Sequence, residues 1–252
     1  MSKLVTRHWI MKNGSTLPQW QVEAFQELNN RLGDKENTYP CVPGRQGFLN
    51  GDMRFVFLSD PRNPQTRIEL ASSLKEYGRC APQAGRYTSF VSLFETTPEL
   101  TASYRVEGFE ELFWDILSDL HRLDTTEWPD TVPADPEHFS WEFCFDSQPY
   151  FAFCTTPAHR ARRSRYSEFF TVAFQPRFVF ENINQSTEYG RKLKSIIRKR
   201  LSSYDEAPIH PSLGWYGQQD NLEWKQYFLR DNESTAPQCP FHSAKGMLPP
   251  GS

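Results

Sequence analysis

The spacing of apolar residues predicts four helices. Over four stretches, apolar side chains recur at three- and four-residue intervals, the period of a helix with one buried face. The predicted helices span residues 18–32, 64–77, 108–123 and 187–202. Pro18 suits the first turn of the first helix, and Gly33 and Gly78 suit the ends of the first two. Before the first helix we expect a polar lead-in over about residues 1–15.

Short runs rich in aromatic and β-branched residues predict the strands of a mainly antiparallel sheet. These strands are 53–58, 87–94, 139–145 and 149–154, with a further apolar run at 169–174 and a strand beginning near Gln175. Asp146, Ser147 and Gln148 turn the chain between two of them, so we expect a central hairpin there.

Proline and glycine predict where regular structure stops. The segment 39–51 contains two prolines and three glycines, and 127–137 contains three prolines, so both are predicted to be loops. A Gly- or Ser-rich linker is absent from the sequence, which favours one domain over residues 1–252 with a flexible tail from about 242. The predicted fold class is α+β, with the sheet flanked by about four helices.

Composition restricts the classes of function. The apolar fraction is 38%, but 20 Phe, 10 Tyr and 7 Trp give the core its bulk as large rings. A net charge of −3 argues against nucleic acid or an anionic membrane as a general partner. The first residues lack the apolar region of a secretory signal, and no apolar run reaches the about 18–20 residues of a membrane span. We therefore expect a cytoplasmic protein without a membrane partner.

Cysteine usage and missing motifs narrow the chemistry further. The five cysteines form no CxxC pair, so they indicate reduced thiols, and neither a disulfide framework nor a zinc ribbon. The sequence has no GxSxG, GxGxxG, Walker or HExxH motif, which removes common hydrolases, dinucleotide enzymes, NTPases and zincins.

The segment 141–180 is the strongest candidate for a site. In it, a predicted aromatic hairpin leads into a turn with one histidine and several arginines. Imidazole ligates many haem irons, and guanidinium groups bind carboxylates such as haem propionates. These residues predict a planar dianionic ligand, although a solvated surface turn is the simpler interpretation of the turn alone. The candidates are His159 as metal ligand and Arg160, Arg162, Arg163, Arg165 and Arg177 as anion partners.

Two further stretches hold candidate residues. The predicted helix 187–202 has six basic residues on one face, which suits RNA or an acidic partner, although an ordinary solvated face explains it more simply. In the aromatic C-terminal part, five side chains are candidates for lining a pocket, with packing as the default for each. They are His210, Trp215, Tyr216, Glu223 and Trp224.

Several motifs in order resemble the YqcI/YcgG family from about Tyr39 to Phe241. They are YPC before a Gly-rich segment, WEFCF, a Pro-x-His-x-x-Arg-like turn, QPRFVFE, YGQQDNLEWKQY and a terminal CPF. Some members of that family are haem-dependent enzymes that oxidise nitrogen, for instance on guanidine groups in natural-product biosynthesis. The resemblance therefore implies haem b and nitrogen oxygenation. This chain departs from other branches by having Thr155-Thr156-Pro157 where they have Leu-His-Pro.

The resemblance also implies roles for named residues. A haem held by His159 would leave its other side for dioxygen or peroxide, with an electron donor where dioxygen is used. Glu142 or Glu223 would hold a cationic amine or guanidine substrate, with a structural salt bridge as the simpler role of each. Alternative axial ligands are Cys41, Cys154, His138 and His121. Alternative functions are a haem carrier without turnover and a non-haem interaction module that uses the basic helix 187–202.

Overall fold

A five-stranded sheet forms the centre of the molecule, and helices cover both of its faces. The structure is a computed structural model that describes residues 4–181 and 183–242. The strands are β1 (Arg54–Leu58), β2 (Phe90–Phe94), β3 (Phe143–Phe145), β4 (Gln148–Thr155) and β5 (Thr171–Pro176). The helices are α1 (Arg7–Asn13), α2 (Gln19–Gly33), α3 (Val42–Asn50), α4 (Pro64–Ala84), α5 (Pro98–Ser103), α6 (Val106–Leu123) and α7 (Glu188–Tyr204).

The strand order is β1-β2-β5-β4-β3. β1 and β2 are parallel, because α4 carries the chain back across the sheet between them, and the other neighbours are antiparallel. The predicted α+β class with a mainly antiparallel sheet is therefore confirmed. The predicted central position of the hairpin β3–β4 is wrong, because β5 occupies the middle of the sheet and β3 forms an edge.

Alternate residues of the strands face two separate hydrophobic cores. Phe90, Val172 and Phe174 point to the core beneath α4 and α6, whereas Val91 and Ala173 point to the core beneath α1, α2 and α3. This alternation follows from the two-residue repeat of a strand. Because both faces are covered, all five residues of β2 are buried.

The Pro- and Gly-rich segment contradicts its prediction as a loop, because it contains α3. Pro43 lies in the first turn, where its missing N–H costs nothing, and Gly51 ends the helix with a φ of 80°. Gly47 lets α3 pack closely, since a Cβ there would lie 2.1 Å from the carbonyl oxygen of Tyr87. These residues shape and cap a helix here, which their local propensities alone do not indicate.

Other boundaries differ for similar reasons of packing. α4 does not end at Gly78 but continues to Ala84, because Tyr77 and Ala81 bury their side chains in the core. The strand predicted from residue 139 begins only at Phe143. The polar lead-in contains α1, whose Ile10 is buried, and of the predicted tail only His242 lies within the described residues.

Candidate active site

A cavity of about 440 Å³ lies between the sheet, α7 and the segment that follows α7. This volume falls within the range of about 300–1,000 Å³ that is usual for small-molecule sites. Phe151 of β4 and Arg177, directly after β5, contribute from the sheet, and residues 213–226 close the opposite side. Its main described lining residues are Glu142, Phe151, Arg177, Phe180, Lys194, Ile197, Arg198, Leu201, Trp215, Tyr216 and Glu223.

Two buried carboxyl groups face this cavity. Glu142 directly precedes β3 and is 2% exposed, and its carboxylate forms an ion pair with the guanidinium of Arg177. Glu223 begins a 3₁₀ turn and is 6% exposed. Its Oε2 accepts hydrogen bonds from the side-chain amides of Asn221 at 3.4 Å and Gln226 at 3.3 Å. The chain thus brings together two carboxyls that are far apart in sequence.

The two carboxyl groups differ in their electrostatic surroundings. Burial raises the pKa of Glu142, and the charge of Arg177 partly opposes that rise. Burial and then the negative charge of Glu142 raise the pKa of Glu223 to about 8. Since this value lies above neutral pH, Glu223 is mostly protonated at neutral pH, and Glu142 is the carboxyl with a cationic partner.

Aromatic rings and cationic side chains form much of the remaining wall. Lys194 donates a hydrogen bond to the carbonyl of Gly214 at 2.7 Å, and its Nζ lies 4.0 Å from the ring centroid of Trp215. The guanidinium of Arg177 lies 5.3 Å from the ring centroid of Tyr216. Rings of this kind offer flat faces on which a planar or cationic group can stack.

His159 lies outside this cavity, in the loop after β4, and is 1% exposed. Its Nε2 is 2.8 Å from the carbonyl oxygen of Leu229, and its Nδ1 is 2.9 Å from the hydroxyl of Thr156. Because a carbonyl only accepts, Nε2 must carry the proton and Nδ1 accepts from Thr156. Burial lowers the pKa of His159 to about 4, so the ring is neutral and ties this loop to the C-terminal segment.

The arginines near His159 do not converge on one ligand. Arg162 is 1% exposed and donates to three backbone carbonyls, those of Arg230, Pro208 and Asn232. Arg160 donates to the carbonyl of Pro157 at 2.7 Å. The guanidinium groups of two others lie over rings, Arg163 over Tyr204 and Arg165 over Phe153. Of the five arginines proposed from the sequence, Arg177 lines the cavity that contains Glu142 and Glu223, which we call the acidic cavity.

Comparison with known proteins identifies the family. The YqcI/YcgG family profile matches residues 28–242. This chain belongs to the YqcI/YcgG family. It is 49% identical to YqcI of Bacillus subtilis (strain 168), with 98% of both chains covered, and 51% identical to YcgG of the same organism, with 97% of both covered.

A more distant relative has a functional name. DcsA of Streptomyces lavendulae is 33% identical over 90% of this chain and 86% of its own, and its name provisionally assigns it as an N(omega)-hydroxy-L-arginine synthase. No solved structure matches this chain.

The loop around His159 does not fit a haem as it is folded. Iron binding at Nε2 would break the bond to Leu229, and Arg162 already donates to protein carbonyls. In the acidic cavity, the described lining has no imidazole, thiol or thioether, and burial and the charge of Glu142 raise the pKa of Tyr216, which disfavours an iron-binding phenolate. Haem and the role of His159 therefore stay predictions that rest on the family resemblance.

The four alternative iron ligands also lie outside the acidic cavity. Cys41 caps α3, with its Sγ 3.4 Å from the backbone nitrogen of Gly44, and it lines a second cavity of only about 50 Å³. Burial raises the pKa of both Cys41 and Cys154. His121 packs between aromatic rings, and His138 is exposed and hydrogen-bonded to Ser140. Within the described residues, no group of three His, Cys, Asp or Glu side chains is placed to hold a metal ion.

The sequence identified only part of the cavity. Of the five predicted pocket residues, Trp215, Tyr216 and Glu223 line it, whereas His210 and Trp224 do not. Glu142 also lines it, and the predicted substrate-binding role of Glu142 and Glu223 stays a prediction. Lys194 and Arg198 were predicted only as part of a basic helix face, because the cavity they line exists only once α7 packs beside residues 213–226. Among the described helices, none is long and apolar enough to cross a membrane. A cytoplasmic location stays a prediction.

Proposed function

We propose that this chain hydroxylates a nitrogen of a guanidine- or amine-bearing small molecule bound in the acidic cavity. The observation that carries the proposal is the placement of two buried carboxyl groups, Glu142 and Glu223, on an aromatic-walled cavity of about 440 Å³. A cation beside Glu223 stabilises its carboxylate form, and the attraction between the two charges is strong because little water screens them in a buried site. The name of DcsA, a relative over most of this chain, supports nitrogen hydroxylation as the reaction.

Glu223 is the residue that responds to the substrate. Arg177 already balances Glu142, whereas the hydrogen-bond donors to Glu223 among the described residues are amides, and Glu223 holds a proton near neutral pH. A guanidinium or ammonium group in the cavity favours the carboxylate, so binding releases that proton. The resulting charge-assisted hydrogen bonds orient the nitrogen, while Tyr216 and Trp215 offer faces for its planar part.

The reaction replaces a nitrogen–hydrogen bond with a nitrogen–hydroxyl group. With dioxygen, one oxygen atom enters the product and the other leaves as water, which requires two electrons and two protons from a donor. With peroxide, one oxygen atom enters the product and the other leaves as water without an external donor. The family resemblance implies haem for the activation of oxygen, although neither the loop around His159 nor the described cavity lining presents a fitting iron ligand. Glu223 holds the nitrogen and takes up or releases a proton at its carboxyl oxygens.

A product assay tests the reaction. Protein from haem-replete cells is incubated with guanidine and amine substrates, supplied with peroxide or with dioxygen and a reductant. We expect a product with one added oxygen atom on nitrogen, seen by mass spectrometry. The variant Glu223→Gln should lose most of it, whereas Glu188→Gln, which changes an exposed carboxylate on α7, should retain it.

Three results would separate the proposal from its alternatives. Absorption in the Soret region with no product under any condition would favour a haem carrier over an enzyme. Equal product from the Glu223→Gln variant and the wild-type protein would refute the role of this cavity. A colourless protein that forms product would remove haem from the proposal and leave hydroxylation in place.

A further inference from the structure

The acidic cavity also has a basic side. Among its described lining residues there are three carboxylic acids, Glu142, Glu181 and Glu223, and three cations, Arg177, Lys194 and Arg198. Glu142 and Arg177 form an ion pair and cancel each other. Glu223 is mostly protonated at neutral pH, so the charges not already paired among the described lining residues are those of Glu181, Lys194 and Arg198. The cavity therefore combines buried carboxyls with a cationic helix face.

Lys194 and Arg198 lie one helical turn apart on α7 and face the same cavity. Like charges at this spacing repel each other. Burial and then the charge of Arg198 lower the pKa of Lys194. Within the described part of the chain, neither side chain forms an ion pair with a carboxylate, in contrast to Lys192, which pairs with Glu188 on the same helix. An anion between the two side chains would relieve this repulsion.

A carboxylate suits this position better than a doubly charged anion. Glu181 lines the same cavity, and its negative charge disfavours a second strong negative charge nearby. The guanidinium of Arg198 can bind the two oxygens of one carboxylate with two parallel hydrogen bonds. The ammonium of Lys194 is fixed by its bond to Gly214 and its contact with Trp215, so it is already oriented without a ligand.

We propose that Lys194 and Arg198 bind a carboxylate of the same ligand whose cationic nitrogen group lies at Glu142 and Glu223. This inference rests on the proposed function. It makes Arg198 a specificity-determining residue, because it separates molecules with a carboxylate from otherwise similar amines. A ligand with one cationic and one anionic group finds a partner for each among the lining residues, whereas a ligand with two cationic groups places one of them against the cations of α7.

L-Arginine and agmatine form a matched pair for the test, because agmatine is arginine without its carboxylate. Binding of both is measured by calorimetry with the full-length protein at low and moderate ionic strength. Arg198→Gln removes the exposed cation of the proposed subsite. Lys199→Gln removes the neighbouring cation, which does not line the cavity, and serves as the control.

We expect the wild-type protein and Lys199→Gln to bind arginine about ten- to a hundredfold more tightly than agmatine, the range for losing one charged hydrogen-bonding partner. Arg198→Gln should reduce this preference at least about tenfold, because arginine loses a hydrogen-bonding cation while agmatine loses only a repelling charge and binds equally or slightly more tightly. Equal affinity of the wild-type protein for both ligands, or an unchanged preference in Arg198→Gln, would overturn the inference and leave the proposed function standing. Binding of neither guanidine would instead contradict the proposed function.

Discussion

Replacing Glu223 with glutamine should change how the stability of the protein depends on pH. The pKa of this carboxyl rises from an ordinary value of 4.5 to about 8 in the folded protein, because it is buried beside Glu142. Between these two values the folded protein holds a proton that the unfolded chain has released. The free energy of unfolding therefore falls as pH rises through this window, by about 1.4 kcal/mol per pH unit.

The magnitude follows from these two pKa values. From about pH 6 to about pH 9 the contribution of Glu223 to the free energy of unfolding should fall by roughly 2.6 kcal/mol, and little further change is expected above that. In Glu223→Gln the side chain is neutral at every pH and can still accept from Asn221 and Gln226. The variant should therefore match the wild-type protein near pH 6 and exceed it near pH 9.

Urea unfolding followed by circular dichroism measures this difference. We take the free energy of unfolding to fall by about 2–3 kcal/mol per molar urea. The difference in urea midpoint between variant and wild type should then change by about 1 M from pH 6 to pH 9. Using the difference between the two proteins removes the contribution of groups that titrate alike in both. Parallel pH profiles, with a constant difference across the range, would show that Glu223 is not protonated at neutral pH.

Further predictions concern the ligand, the loop after β4 and α3. Binding of guanidine cations near pH 7 should release a proton from Glu223, so the calorimetric enthalpy should vary with the ionisation enthalpy of the buffer; no variation would contradict this. The pKa of His159 is lowered to about 4, whereas unfolded histidine titrates near 6.5, so the free energy of unfolding of the wild-type protein should decrease as pH falls from 6.5 to 4. His159→Ala should lack this decrease, and near neutral pH chemical unfolding should show it destabilised by about 2–4 kcal/mol. Arg162→Met should cost about 3 kcal/mol in the same assay, since three carbonyls lose their donor. Gly47→Ala should lower the melting temperature by several degrees because its Cβ would meet the backbone of Tyr87, whereas Gly33→Ala, with open space around it, should change it little.

Local patterns were sufficient for most of the elements. The helical spacing of apolar residues located α2, α6 and α7 to within about two residues, because each buries one continuous stripe against a core. The motifs that span the chain identified its family, which the comparisons confirm. Local patterns failed for α3, because its Phe48 packs in a core with residues of other elements, such as Phe25 and Phe55. They also failed for the end of α4, where burial of Ala81 outweighs the local signals of Gly78 and Pro82.

The candidate site depended more strongly on tertiary structure. The sequence alone suggested Glu142 and Glu223 as partners of a cationic substrate, and the fold places both on one cavity. The sequence also placed His159 beside several arginines, which suggested a ligand-binding turn or, more simply, a solvated surface turn. The fold instead buries this ring between Thr156 and Leu229, a contact across 70 residues that no local pattern indicates.

By itself, then, the sequence determined the class of fold, the family and the kinds of side chain available for chemistry, since these depend on local periodicity and on ordered motifs. Only the tertiary structure decided which side chains share a cavity and which have already used their hydrogen-bonding groups. That distinction has a physical reason. Burial and the proximity of other charges determine the protonation of Glu223 and His159, and the packing of α7 places Arg198 on the cavity. Burial, charge proximity and the cavity itself arise only when distant segments pack together.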